Sequence, residues 1–241
     1  MAKIVLVAGA WHGKWCWDLV APLLKEAGFE VHAPDLVGMG ADATPLDEVN
    51  LSRWADQIAE LVQAQGEPVV LLGHSRAGIV ISEVAERVPQ AIRQLVYLSA
   101  FLLPNGESLG GALSKGREGS KPNFLVPSEN GLCVGVAPEA VATVFYNTTS
   151  PDLVERARAA MGKEPLTSFA TPLNLSSGRY GTVKRAYIEC LQDRAIPIAV
   201  QRVMQSHLPC DPVESLDTDH CPFFSAPTEL VRAIERVTRA S

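Results

Sequence analysis

Long apolar runs are missing from this chain of 241 residues. None approaches the roughly twenty residues that cross a bilayer, so no membrane partner is expected. Basic residues do not gather into a stripe, and a formal net charge of -6 gives nucleic acid or an anionic membrane nothing to hold. Cysteine is sparse and odd in number. Cys16, Cys133, Cys190, Cys210 and Cys221 stand far apart with no C-x-x-C pair, which argues against a disulfide framework and predicts free thiols. Neither these nor the histidines are spaced as metal ligands, so no metal and no cofactor is expected. No segment repeats at a solenoid period or is low in complexity. After Lys3 comes only a four-residue apolar run, without the apolar region and cleavage site of a secretory signal, and a cytoplasmic location is the expectation.

What the chain does have is hydrophobic residues, 47% of the total, enough for one substantial core. The apolar runs at 4–7 and 69–72 read as strands, as do the short stretches at 29–32, 92–98, near 183–191 and at 213–216. Between them lie stretches whose apolar residues recur every three or four positions. One carries Leu19, Val20, Leu23 and Leu24; another carries Trp54, Ile58, Leu61 and Val62, with Asn50 or Ser52 as its cap. Further helices are predicted at 76–88, 198–208 and 228–237. Such alternation implies βαβ crossovers and a mostly parallel sheet with helices on both faces. Residues 104–180 interrupt it. Their first part, 105–120, is dense in glycine and serine, and prolines recur at Pro122, Pro127, Pro138, Pro151, Pro165 and Pro172. Apolar residues such as Phe124, Val141, Phe145 and Phe169 argue against a disordered linker. Helical patches at 139–145 and 151–161 predict a small helical cap, laid over a core made of 1–103 and 181–241.

The chemistry centres on P-V-V-L-L-G-H-S-R-A-G, from Pro68 to Gly78. A buried strand runs into a helix with Ser75 at the turn, and Gly73, Ala77 and Gly78 keep its neighbours small. That is the logic of a nucleophile elbow, G-x-S-x-G, with Ala77 in place of the last glycine. A serine in such a turn can also be no more than a helix cap. A serine nucleophile needs a base and a group that orients the base. Of five histidines, His12 and His32 precede the elbow, His74 points away along the turn and His207 sits late in a helix. His220, in D-T-D-H-C-P-F-F, follows a strand in a short loop, on the sheet edge where open α/β folds gather their active residues. Asp193 follows a strand and precedes a proline-led helix, which makes it the candidate acid. Its rivals are Glu107, and Asp217 and Asp219, which lie close to His220 in sequence. Backbone N–H groups of Arg76 and of the loop at Gly9 and Ala10 are candidate oxyanion donors. The Arg76 guanidinium has no role in this scheme beyond pairing with a carboxylate at the surface.

Several stretches together resemble a known family: V-L-V-A-G-A-W-H-G-K-W-C-W, A-P-D-L-V-G-M-G, L-L-G-H-S-R-A-G, L-S-A-F-L-L-P, V-K-R-A-Y-I-E-C-L-Q-D-R-A-I-P and D-H-C-P-F-F. The resemblance is to the α/β-hydrolase family that holds plant methyl esterases, hydroxynitrile lyases and bacterial relatives, including pyrethroid-hydrolase-like enzymes. It implies the α/β-hydrolase fold, Ser75, Asp193 and His220 as a catalytic triad, and the N–H groups of Ala10 and Arg76 as the oxyanion hole. Ala8 departs from the family, which usually has a histidine before the glycine. Family lyases that use this triad look to carry threonine where this chain has Gly9, and lysine where it has Cys221. A thiol cannot supply the lysine's charge, so the resemblance implies a serine carboxylesterase acting on small to medium hydrophobic esters. A carbon–carbon lyase and a slow ligand receptor on the same scaffold are the competing readings. A small-molecule ester is the expected partner, and a homodimer is one option for assembly.

Overall fold

The computed structural model describes residues 1–115 and 124–239. Part of the glycine- and serine-rich stretch, with Pro122, lies outside them. The chain opens with strand β1 (Ala2–Val7), helix α1 (Val20–Glu26) and strand β2 (Phe29–His32). Pro22 falls in the first turn of α1, where a missing N–H costs nothing. Helix α2 (Leu51–Gln63) follows, capped by the Asn50 side chain, which accepts from Arg53 N–H at 2.9 Å. Then come β3 (Val69–His74), α3 (Ala77–Arg87) and β4 (Ile92–Leu98).

Between β4 and the next strand of the main sheet lies the stretch read from sequence as a helical cap. Helical it is only in part. Helices α4 (Leu109–Lys115), α5 (Pro138–Ala140), α6 (Pro151–Ala160) and α7 (Thr167–Ala170) surround a three-stranded antiparallel sheet of β5 (Leu125–Pro127), β6 (Cys133–Val136) and β7 (Glu164–Pro165). The predicted helix at 139–145 becomes α5 followed by a turn of π-helix, Val141–Phe145. The strands were missed for a physical reason: two to four residues cannot display a period, and Pro127, Gly135 and Pro165 are poor strand formers. The Asn130-Gly131 pair is the signal that marks the hairpin. Gly131 has a φ of 67°, and Ser128 N–H donates to Cys133 O at 2.9 Å across the turn.

The chain ends with β8 (Arg185–Cys190), α8 (Ile198–His207), β9 (Val213–Leu216), α9 (Pro222–Ser225) and α10 (Pro227–Arg239). Among the described residues the main sheet has six strands in the order β2-β1-β3-β4-β8-β9, each pair parallel. Side chains alternate across it with period two. Val5, Val7, Val69, Leu71, Leu95 and Tyr97 face the side covered by α2 and α3, where Trp54, Ile58 and Val84 meet them. Ile4, Leu6, Val70, Leu72, Val96 and Leu98 face the side covered by α1 and α10, against Leu24, Leu230 and Ile234. Burial on both faces makes the central strands continuous apolar runs. The chain steps outward from β1 to β2 and then returns to the other side of β1 with β3. The carboxyl ends of β1 and β3 therefore flank a switch point, the place where a crevice opens in such sheets.

Candidate active site

Ser75 follows β3 directly at that crevice. Its φ is 55°, the left-handed region that a serine enters only when its surroundings hold it there. They do so from two sides. Ser75 N–H donates to Leu98 O at 3.2 Å, and Ser75 O accepts from Gly78 N–H at 3.1 Å and Phe101 N–H at 3.0 Å. The small residues around it are required by contact. A Cβ on Gly73 would lie 2.8 Å from Ala77 O, and one on Gly78 would lie 2.2 Å from Phe101 O.

The loop after β9 brings His220 to the serine, with Nε2 at 2.9 Å from Ser75 Oγ. The loop after β8 brings Asp193 to the other ring nitrogen, Oδ2 lying 2.6 Å from Nδ1. A carboxylate only accepts, so Nδ1 carries the proton and Nε2 is left to accept the serine hydroxyl's hydrogen. Asp193 is itself fixed: Oδ1 accepts from Ala195 N–H at 2.7 Å and Ile196 N–H at 2.8 Å, and Oδ2 also accepts from the Ser99 hydroxyl. All three side chains are buried.

The rival acids stand elsewhere. Glu107 pairs with Lys115, and Asp217 accepts from Gln192 Nε2 at 2.8 Å. Asp219 braces the His220 loop: Oδ1 accepts from Cys221 N–H and the Ser225 hydroxyl, Oδ2 from Thr148 N–H and the Thr149 hydroxyl of the cap. His32 pairs with Glu30 and His207 closes α8. Beside the serine is an apolar pocket lined by Ser75 and Ala10 and by Leu109, Leu113, Phe124, Phe145 and Phe169. Such walls suit the apolar part of an acyl or alkoxy group.

Residues 4–233 match the profile of the alpha/beta hydrolase family. The chain belongs to that family. This α/β-hydrolase is 34% identical to the pyrethroid hydrolase of Sphingobium wenxiniae (strain DSM 21828 / CGMCC 1.7748 / JZ-1), over 97% of its own length and 86% of that protein's. It is 32% identical to putative methylesterase 11, chloroplastic, of Arabidopsis thaliana, over 98% of its own length and 64% of that longer protein. Among solved structures, polyneuridine aldehyde esterase superposes with a TM-score of 0.89 at 28% identity, covering 99% of each chain. With such relatives the chain is a carboxylic ester hydrolase.

Three residues of this α/β-hydrolase do more than the sequence disclosed. Arg76, expected to pair at the surface, is 1% exposed and meets the fully buried Glu164 of β7. The cause is its place at the start of α3, under the cap, with the guanidinium carbon 4.1 Å from the centre of the Trp54 ring. Arg76 Nε lies 2.8 Å from Glu164 Oε1, too bent for a hydrogen bond, and Nη2 donates to Glu164 Oε2 at 3.4 Å. Burial pulls the guanidinium below its usual range and the carboxylate opposes the fall. His12 Nδ1 donates to Ala10 O and Nε2 accepts from the Tyr146 hydroxyl, both at 2.6 Å. Burial lowers its pKa from 6.5 to about 4, against the opposing bond to Ala10. His74, expected to point away, turns back instead: Nε2 donates to His220 O at 2.8 Å. Burial first, and then His220, hold it well below its ordinary value.

Proposed function

We propose that the chain is a serine carboxylesterase for small to medium hydrophobic esters, with Ser75 as nucleophile, His220 as base and acid, and Asp193 as the orienting carboxylate. The observation that carries this reading is the unbroken hydrogen-bond path from Ser75 Oγ through His220 to Asp193 at the wall of an apolar cavity. Ser75 Oγ attacks the ester carbonyl carbon as its proton passes to His220 Nε2. The N–H groups of Ala10 and Arg76 receive the oxyanion. Collapse expels the alcohol, which takes the proton from Nε2 and leaves an acyl-serine. Water then enters: its proton moves to Nε2, its oxygen adds to the acyl carbon, and Ser75 departs with the returned proton. Asp193 holds the Nδ1–H tautomer throughout and carries part of the charge developed on the imidazolium.

Cys221 supports hydrolysis over a lyase reaction. Its side chain is buried, and burial pushes the thiol well above its usual pKa, so it is neutral where a lyase of this kind needs a cation. The test uses p-nitrophenyl butyrate and a fluorophosphonate probe. Wild-type protein should hydrolyse the ester and take the label on Ser75, and Ser75→Ala should lose several orders of magnitude in turnover. Undiminished turnover in that variant would reject the assignment.

A further inference from the structure

The two peptide groups on either side of the Ala10 α-carbon are held at almost every polar atom. Gly9 O accepts from Arg76 Nη2 at 3.2 Å and, more weakly, from His12 N–H at 3.3 Å, Ala10 O accepts from His12 Nδ1, and Trp11 N–H donates to Glu164 Oε2 at 3.2 Å. Among the described residues the group left without a partner is the Ala10 N–H, which belongs to the same planar peptide as Gly9 O. Planarity makes one bond direct the other: a carbonyl fixed towards Arg76 turns the trans N–H away from it. Trp11, next in line, has a φ of 63°, a conformation an aromatic residue keeps only under restraint. That restraint comes from the cap. Besides Glu164, Gly162 N–H donates to Trp11 O at 2.9 Å and the indole N–H donates to Val134 O at 2.9 Å. Glu164 is in turn steadied by the Ser168 hydroxyl, 3.1 Å from Oε1.

We propose that the buried Arg76–Glu164 pair is the device that aims the Ala10 N–H at the oxyanion, so that Glu164, a residue of the cap, is a positioning residue of the reaction. Arg76 then has two parts: its backbone N–H as a donor, and its side chain as the clamp on the other donor's peptide. The pair is coupled because Glu164 Oε2 takes both the Trp11 N–H and an Arg76 Nη2 hydrogen, linking the two clamped peptides through one oxygen. A neutral pair reaches this arrangement poorly, since a guanidinium alone offers donors to a carbonyl and a carboxylate from one planar fork. The inference rests on the reading of Ala10 given under Proposed function.

The experiment measures phosphonylation of Ser75 by a fluorophosphonate, which depends on the oxyanion donors but needs no ester turnover. Glu164→Gln should lower the maximal inactivation rate about a hundredfold, the usual cost of losing one such donor. The probe's half-saturation concentration should stay within about threefold, because the ground state makes little use of the N–H. Steady-state kcat for p-nitrophenyl butyrate should fall with it while KM holds. Removing one charge of a buried pair endangers folding, so the double variant Arg76→Met with Glu164→Met, which removes both charges at similar volume, is measured alongside. It should lose no more than the single variant, since both residues act on one loop. Wild-type inactivation rates in the folded double variant, or a loss confined to half-saturation, would overturn the proposal. Wild-type protein that labels at Ser75 yet cleaves no ester would end the esterase reading and leave the positioning role standing.

Discussion

Ser99 and His220 share a single oxygen of Asp193: the serine hydroxyl and the imidazole Nδ1–H both point at Oδ2. Ser99 sits at the end of β4, fully buried, with a φ of 38°. Its N–H donates to Ile188 O at 2.9 Å, which pins that strained conformation to the neighbouring strand. The second donor holds the carboxylate at the angle the imidazole needs. Removing it in Ser99→Ala takes away a hydrogen bond to a charged acceptor, an interaction of about 1.5 to 3 kcal/mol. The expected result is a fall of roughly ten- to a hundredfold in kcat/KM for p-nitrophenyl butyrate, with the protein still folded. An unchanged kcat/KM would show that the two backbone donors to Oδ1 suffice.

Stability should depend on pH through His12 and His74. Both are depressed in the folded protein, His12 from 6.5 to about 4 and His74 well below 6.5, in each case mainly by burial. Above the unfolded value neither state binds the proton, and the stability these residues give as neutral rings is fully present. As pH falls below 6.5 towards the folded values, the unfolded chain takes up protons that the folded one refuses, and that stability is lost. At about pH 5.5 His12 should already have given up about 1 kcal/mol, and His74 should add to the loss in the same direction. Urea midpoints compared at about pH 7.5 and 5.5 check this; equal midpoints would contradict the burial of neutral rings.

The five thiols should be inert in the folded protein. Cys16, Cys133, Cys190 and Cys221 are buried, and the half-buried Cys210 has its thiol pushed up to about 12 by desolvation. Thiolate is the reacting form, so Ellman's reagent near neutral pH should label none of them quickly. Iodoacetamide should leave esterase activity intact, and five thiols should appear on unfolding in guanidinium. Rapid loss of activity on alkylation would point to a cysteine in the chemistry.

Much of this architecture is legible in the sequence, for reasons that differ by element. The predicted strands at 29–32, 92–98 and 213–216 coincide with β2, β4 and β9: sheet burial makes the central β4 largely apolar, and the more exposed edge strands β2 and β9 still carry apolar residues between polar turns. Helix α10 extends past the predicted 228–237 to Pro227–Arg239, since the buried Thr238 and the charged Arg239 are polar and apolar spacing cannot register them. Ser75, Asp193 and His220 could be selected because each follows a strand, and strand ends converge on one edge. What stayed hidden depends on contact between distant segments. Glu164 is 88 residues from Arg76, on a strand of two residues, and nothing in E-P announces a buried carboxylate. An arginine is so seldom buried that the surface reading was the natural one. Ser99 lay in plain view in L-S-A, where no local feature separates a supporting hydroxyl from a solvated one.

Asp219 stitches the loop of His220 to Thr148 and Thr149, so the segment between β4 and β8 is fastened to the machinery it covers. Swapping that entire segment for a relative's, the obvious shortcut to a new substrate preference, therefore unpicks an anchor of the base. On that flank, selectivity and turnover are inherited together. The Leu109 and Leu113 wall of α4 meets the cavity through apolar contact alone, and it is the margin along which a lineage, or a breeder of enzymes, can alter taste without first rebuilding the engine.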